Sequence, residues 1–168
     1  MFQNRRMHRI APAAFLAVVL VACGSDAPTE DQLQARRDAR RDHCVAEALQ
    51  DHAQTRLATL DTLLRQSQAR GSVPALVSAP HTFAQVYATF ADLRAHETAY
   101  MDSAYSATSK TDSIAFEQKA ASFRVNRPSP GSLEENVWRD YARDYTMSRT
   151  DPEHGCNKLV EEPGKSGQ

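Results

Sequence analysis

From Thr29 to Arg70 the chain contains neither glycine nor proline, and Ala, Leu, Gln, Arg and Glu predominate. Glycine and proline are the residues that weaken a helix most, whereas the residues present are among its best formers, so the stretch reads as one helix. Thr29 and Gln32 form a capping-box pair directly after Pro28, and Gly71 ends the run. At 1.5 Å per residue such a helix is about 60 Å long, more than a small domain is wide. Everything else must be arranged against that rod. Leu33 stands nearly alone among charges as far as His43, whereas Val45, Leu49, Ala53, Leu57, Leu60 and Leu64 recur at steps of three and four. Residues 30–43 therefore read as a solvated stalk, and the remainder of the helix as a packing face.

The rest of the chain is helical in the same way, with no strand alternation of useful length and no internal repeat. Ser72 to Pro80 holds two prolines and small residues and reads as a connection. Thr82 and Gln85 repeat the capping pattern, and Phe83, Val86, Tyr87, Phe90, Leu93, Tyr100, Met101 and Tyr105 mark one broad face of a second helix. After the polar run Ser106 to Ser113, a shorter helix is expected from Asp112 to about Val125. Pro128 and Pro130 lie in a turn from Asn126 to Gly131. Ser132-Leu133-Glu134-Glu135 is a further capping box, with acids placed where they complement the helix dipole. Leu133, Val137, Trp138, Tyr141, Ala142 and Tyr145 give that last helix its buried side. The final residues, 161–168, read as a disordered tail.

The beginning of the chain has a different character. Arg5, Arg6 and Arg9 supply positive charge without an acid, and Ile10 to Ala22 is an uncharged run too short to span a bilayer. It ends in Leu20-Val21-Ala22-Cys23, followed by Gly24-Ser25. This segment resembles a bacterial lipoprotein precursor, in which the cysteine is lipidated and becomes the mature N-terminus. The resemblance covers residues 1 to about 25. It implies a signal peptide over 1–22, a lipid-bearing Cys23 on a tether to residue 29, and a helical domain over 30–160 in the cell envelope. A single acyl chain holds a protein only marginally at a membrane, and a triacylated cysteine meets that requirement. In a Gram-negative host, Gly24 rather than Asp after the cysteine matches the pattern sorted to the outer membrane, facing the periplasm.

Without the leader, 17 basic residues face 21 acidic ones, a net charge of −4. A nucleic-acid binder would be basic. With Cys23 assigned to lipid, Cys44 and Cys156 remain, and in an exported protein they are expected to pair; two buried thiols or a metal site are the alternatives. Short links between the helices suggest an all-α, antiparallel, up-down bundle of three to four helices with a long first helix, closed by that disulfide. Four passes bring Cys156 back toward Cys44, as a disulfide requires.

Candidate chemistry is thin. His43-Cys44 and His154-Gly155-Cys156 hold two imidazoles and two thiols, but neighbours on a helix point about 100 degrees apart and do not converge on one ion. Glu134 and Glu135 are accounted for by the capping box. The aromatic set Tyr87, Phe90, Tyr100, Trp138, Tyr141 and Tyr145 reads as core, or as a pocket between the second and fourth helices. Arg36, Arg37, Arg40 and Arg41, interleaved with Asp38 and Asp42, form a solvated helix surface and a candidate contact for lipid phosphates. No pattern calls for a cofactor or points to an enzyme. The expectation is a lipid-anchored accessory, assembly or inhibitory subunit that binds another envelope protein, with a carrier of a small apolar ligand as the alternative. In architecture this is similar to the small helical lipoproteins that act as pilotins of type II secretion, and in size and anchor to exclusion and immunity lipoproteins.

Overall fold

The structure is a computed structural model and describes residues 28–71, 75–151 and 155–156. Four helices follow one another: α1 (Glu30–Ala69), α2 (Ala75–Ser106), α3 (Lys110–Ser122) and α4 (Leu133–Thr150). No strand occurs among the described residues, and no helix there is long and apolar enough to cross a membrane. The fold is an all-α antiparallel bundle.

The long first helix begins as its sequence dictates. The Gln32 backbone N–H donates to Thr29 Oγ1 at 3.3 Å, and the Thr29 N–H donates to Gln32 Oε1 at 3.0 Å. Beyond its end Gly71 adopts φ +70, in the left-handed region that glycine tolerates best. α2 then returns antiparallel along α1, so that Asp61 pairs with His81 near the turn and Arg36 reaches the Tyr105 carbonyl at the opposite end. The seam between them is made of small residues. Ala39, Ala46 and Ala53 recur every seventh position on α1, facing a core that includes Ala84, Ala88, Ala91 and Ala95 of α2, all buried. Small side chains at such positions let two helices approach closely, and Gln50 Nε2 bridges to Asp92 Oδ1 at 2.7 Å beside the seam.

α2 starts earlier than the turn residues suggest. Ser72 to Pro80 reads in sequence as a connection, yet the helix is under way at Ala75 and carries Pro80 within it. So near the N-terminus a proline removes only one helical hydrogen bond. Thr82 is accordingly not a cap but an interior residue, its hydroxyl donating to the Ser78 carbonyl at 3.1 Å.

Residues 30–43 are likewise no free stalk. Ala39 is buried, Arg36 Nε donates to the Tyr105 carbonyl, and Arg40 faces Asp102 of α2 at 3.8 Å. Charged side chains cover an alanine seam here, which a count of large apolar residues overlooks.

The two short helices brace one end of the hairpin. α3, capped by Ser109 rather than beginning at Asp112, packs on α2, and Phe123 just past its end stacks on His96 and Tyr100 at ring separations of 5.0 and 5.6 Å. α4 meets both α1 and α2. Val137 is fully buried, Tyr87 Oη donates to Asp144 at 2.9 Å, and Arg149 Nε donates to Asp42 at 2.6 Å. Cys156 then bonds to Cys44 with 5.6 Å between alpha carbons. The bridge joins Cys156 to the interior of α1, not to its end. Past these braces α1 and α2 continue alone: no described residue from Gln54 to Phe83 is buried. The molecule is thus a four-helix body with a two-helix arm.

Candidate functional site

Where α4 approaches α2, the fold leaves a cavity of about 280 Å³. Its walls are Phe90 from α2, Val125 from the α3–α4 link, and Trp138, Tyr141 and Ala142 from α4. The capping residues explain why α4 presents that face. Ser132 accepts the Glu135 N–H at 3.1 Å and sets the start of the helix, which turns Val137 and Tyr141 inward and places Trp138 at the edge. Glu135 itself departs from the expected capping box. Its carboxylate accepts from the Gly131 N–H at 2.6 Å, from Arg139 at 2.8 Å and from Arg127 at 3.4 Å, and it is 2% exposed while Glu134 lies in solvent. The Gly131 hydrogen bond first, and Arg139 next, hold its carboxyl below the usual carboxylate range. Arg127 also stacks over Trp138, 5.9 Å from the ring centre, tying this clasp to the cavity wall.

A charged partition forms one side of the cavity. Glu97, 7% exposed, takes Arg94 on one oxygen at 2.8 Å and Arg124 on the other at 3.3 Å. Arg94 lies over the Tyr145 ring at 4.8 Å. The same three residues border a second cleft of about 350 Å³ between α1 and α2, where Asp38 and Asp42 add two acids. One ion triad therefore separates an aromatic cavity from an acidic cleft.

Behind the aromatic wall the tyrosines form a cluster. Tyr141 meets Tyr87 edge-on at 5.3 Å and Tyr145 at 6.2 Å. Tyr145 Oη donates to the Asp42 carbonyl at 3.4 Å. Burial pushes the phenols of Tyr87, Tyr141 and Tyr145 up; Tyr87 and Tyr145 donate to Asp144 and to the Asp42 carbonyl, whereas the buried Tyr141 hydroxyl has no hydrogen-bond partner among the described residues. Of the aromatic set read from the sequence, Phe90, Trp138, Tyr141 and Tyr145 line the cavity, Tyr87 supports it from behind, and Tyr100 is diverted to Phe123. The ion triad was the missed component: Arg94, Glu97 and Arg124 come from α2 and from the link after α3, and only the i,i+3 spacing of Arg94 and Glu97 hints at it.

The remaining candidates fall elsewhere. Cys44 is committed to the disulfide, and His43 points its Nε2 toward Glu47 at 3.9 Å. Among the described residues no group of three or more His, Cys, Asp or Glu side chains is arranged to hold a metal ion. Arg37 and Arg41 pair with Glu30 and Asp38, at 3.5 and 2.5 Å, and Arg36 and Arg40 with the end of α2, so these four charges are engaged within the protein. Residues 1–22, expected as a signal peptide, Cys23, His154 and residues 161–168 lie outside the described residues.

No protein-family model, curated protein or solved structure matches this chain.

Proposed function

We propose that this protein is a lipid-anchored accessory of the cell envelope that binds another envelope protein through its two-helix arm and performs no reaction of its own. The observation that carries this reading is the arm itself. α1 outruns its bracing helices by about 24 Å, taking 1.5 Å per residue from Gln54 to Ala69. A hairpin that extends past its own core, with Leu60 and Leu64 only partly covered and Leu63 45% exposed, keeps apolar surface available at the end of α1 remote from residue 28. With Cys23 in lipid, a short tether would hold the body at the membrane and direct the arm away from it. The buried carboxylates serve the fold: Glu97 and Glu135 are each clasped by two arginines, which suits structural anchors.

The test is site-specific photocrosslinking in the native envelope from Leu63, with the equally exposed Ile114 on α3 as reference. A single envelope protein captured from Leu63 and not from Ile114 supports the reading. Equal, diffuse products from both positions, or a Cys23→Ala protein that still partitions with membranes, would overturn it.

A second reading, a carrier of a small apolar molecule, is supported by the aromatic-walled cavity between α2 and α4. Native mass spectrometry after gentle extraction separates the two, since one predicts a co-purifying protein and the other a co-purifying small molecule.

A further inference from the structure

Two clefts share the ion triad, and they differ in the rest of their lining. The α1–α2 cleft adds Asp38 and Asp42, which are paired with Arg41 and Arg149, and it lacks the aromatic wall of its neighbour. The α2–α4 cavity has the same two guanidinium groups and Glu97 as its only carboxylate. Its formal balance at that wall is one positive charge, set against aromatic and aliphatic surfaces. A guanidinium has five N–H donors, and the hydrogen bond from Arg124 to Glu97 uses one of them. The Arg124 side chain is 69% exposed, so it can reorient toward a bound group without breaking the core.

Size narrows the occupant further. A volume of about 280 Å³ lies just below the roughly 300–1,000 Å³ of typical ligand sites. A peptide helix, about 10 Å across with its side chains, does not enter. Resting on the carrier reading above, we propose that the α2–α4 cavity binds a small apolar monocarboxylate, its hydrocarbon against Phe90, Val125 and Trp138 and its carboxylate at Arg124. Arg94 is a positioning residue there: fixed by Glu97 and by the Tyr145 ring, it keeps the wall cationic and holds Glu97 away from the incoming anion.

Trp138 is the only tryptophan in the chain and lines the cavity, so its fluorescence reports this site alone. The experiment titrates the full chain, reconstituted in phosphatidylcholine vesicles, with octanoate, 1-octanol and octylammonium. Octanoate should shift Trp138 emission saturably, octanol should bind about tenfold more weakly, as loss of one charge-assisted hydrogen bond implies, and octylammonium should give no saturable shift. Arg124→Met should bring octanoate down to octanol while leaving octanol and the helical circular dichroism unchanged. Ala142→Trp, which fills the cavity, is followed through displacement of bound carbon-13 octanoate in NMR and should abolish binding of both. Octanol binding as tightly as octanoate would overturn the monocarboxylate assignment and leave the carrier reading standing; absence of any saturable response to all three probes would overturn both.

Discussion

The body and the arm are built from the same two helices, yet they are held by different means. In the body, α1 and α2 are locked by the alanine seam, by Val45 and Val137 at zero exposure, by the Cys44–Cys156 bridge and by carboxylates gripped between arginines. In the arm the same helices meet through half-covered leucines and the Asp61–His81 pair. A helix pair with little apolar burial depends mainly on its own propensity and on its attachment to what lies below. The contrast teaches that the long helix is one covalent element and two energetic ones: a fixed root and a compliant tip.

Cutting the bridge should break that contrast most severely. Its loop spans 112 residues, so the Cys44→Ala/Cys156→Ala protein should lose about 4–5 kcal/mol on the chain-entropy estimate. Hydrogen exchange read by mass spectrometry should show the loss at α4 and around Ala46, with exchange in the arm unchanged. Loss spread evenly to the tip would show that body and arm are one cooperative unit.

A matched pair of truncations sharpens the same point. Val137→Ala removes a fully buried side chain and should cost about 2 kcal/mol, whereas Leu60→Ala, from a half-covered site on the arm, should cost less than about 1 kcal/mol. Urea unfolding monitored by circular dichroism measures both. Equal costs would mean that the arm is as tightly packed as the body.

The extent of the helices was legible because their signals are local. Thr29 with Gln32, Gly71 and Ser132 fix helix ends through bonds spanning three or four residues, and no tertiary information is needed to read them. The pairing of Cys44 with Cys156 was legible only through the lipoprotein resemblance, which sets Cys23 aside and leaves a single pair as the expectation, with free thiols or a metal site as the alternatives. Where the reading went wrong, the signal was small or distributed. Ala39 sits among four arginines, so in sequence the root of α1 reads as a solvated stalk although Ala39 is buried. The seven-residue recurrence of Ala39, Ala46 and Ala53 was the available clue, masked by larger leucines on a neighbouring stripe. Pro80 and Thr82 mimicked a boundary that tertiary packing overrides. The aromatic spacing reads equally as core or as a pocket between α2 and α4, and it says nothing of the charged wall, because Arg124 joins Glu97 across 27 residues and nothing local encodes that meeting.

The smallest of these contrasts is electrostatic and lies in acid. Glu135 is held below the ordinary carboxylate value of 4.5 by the Gly131 N–H and by Arg139 and Arg127. A carboxyl whose folded pKa is lowered contributes stability that is fully present above about pH 4.5 and is lost as pH falls through the folded value. Arg127 and Arg139 are 68% and 60% exposed, so solvent screens much of their share and the effect is modest. The body should therefore loosen first near the start of α4 as pH drops below 4.5. In the Glu135→Gln protein this acid-dependent loss should be missing, and the stability gap between the two proteins should narrow steadily in acid. A gap that stays constant from pH 6 to pH 3 would mean that Glu135 acts only as a hydrogen-bond acceptor for Gly131, with its charge making no contribution to the hold that the body has and the arm lacks.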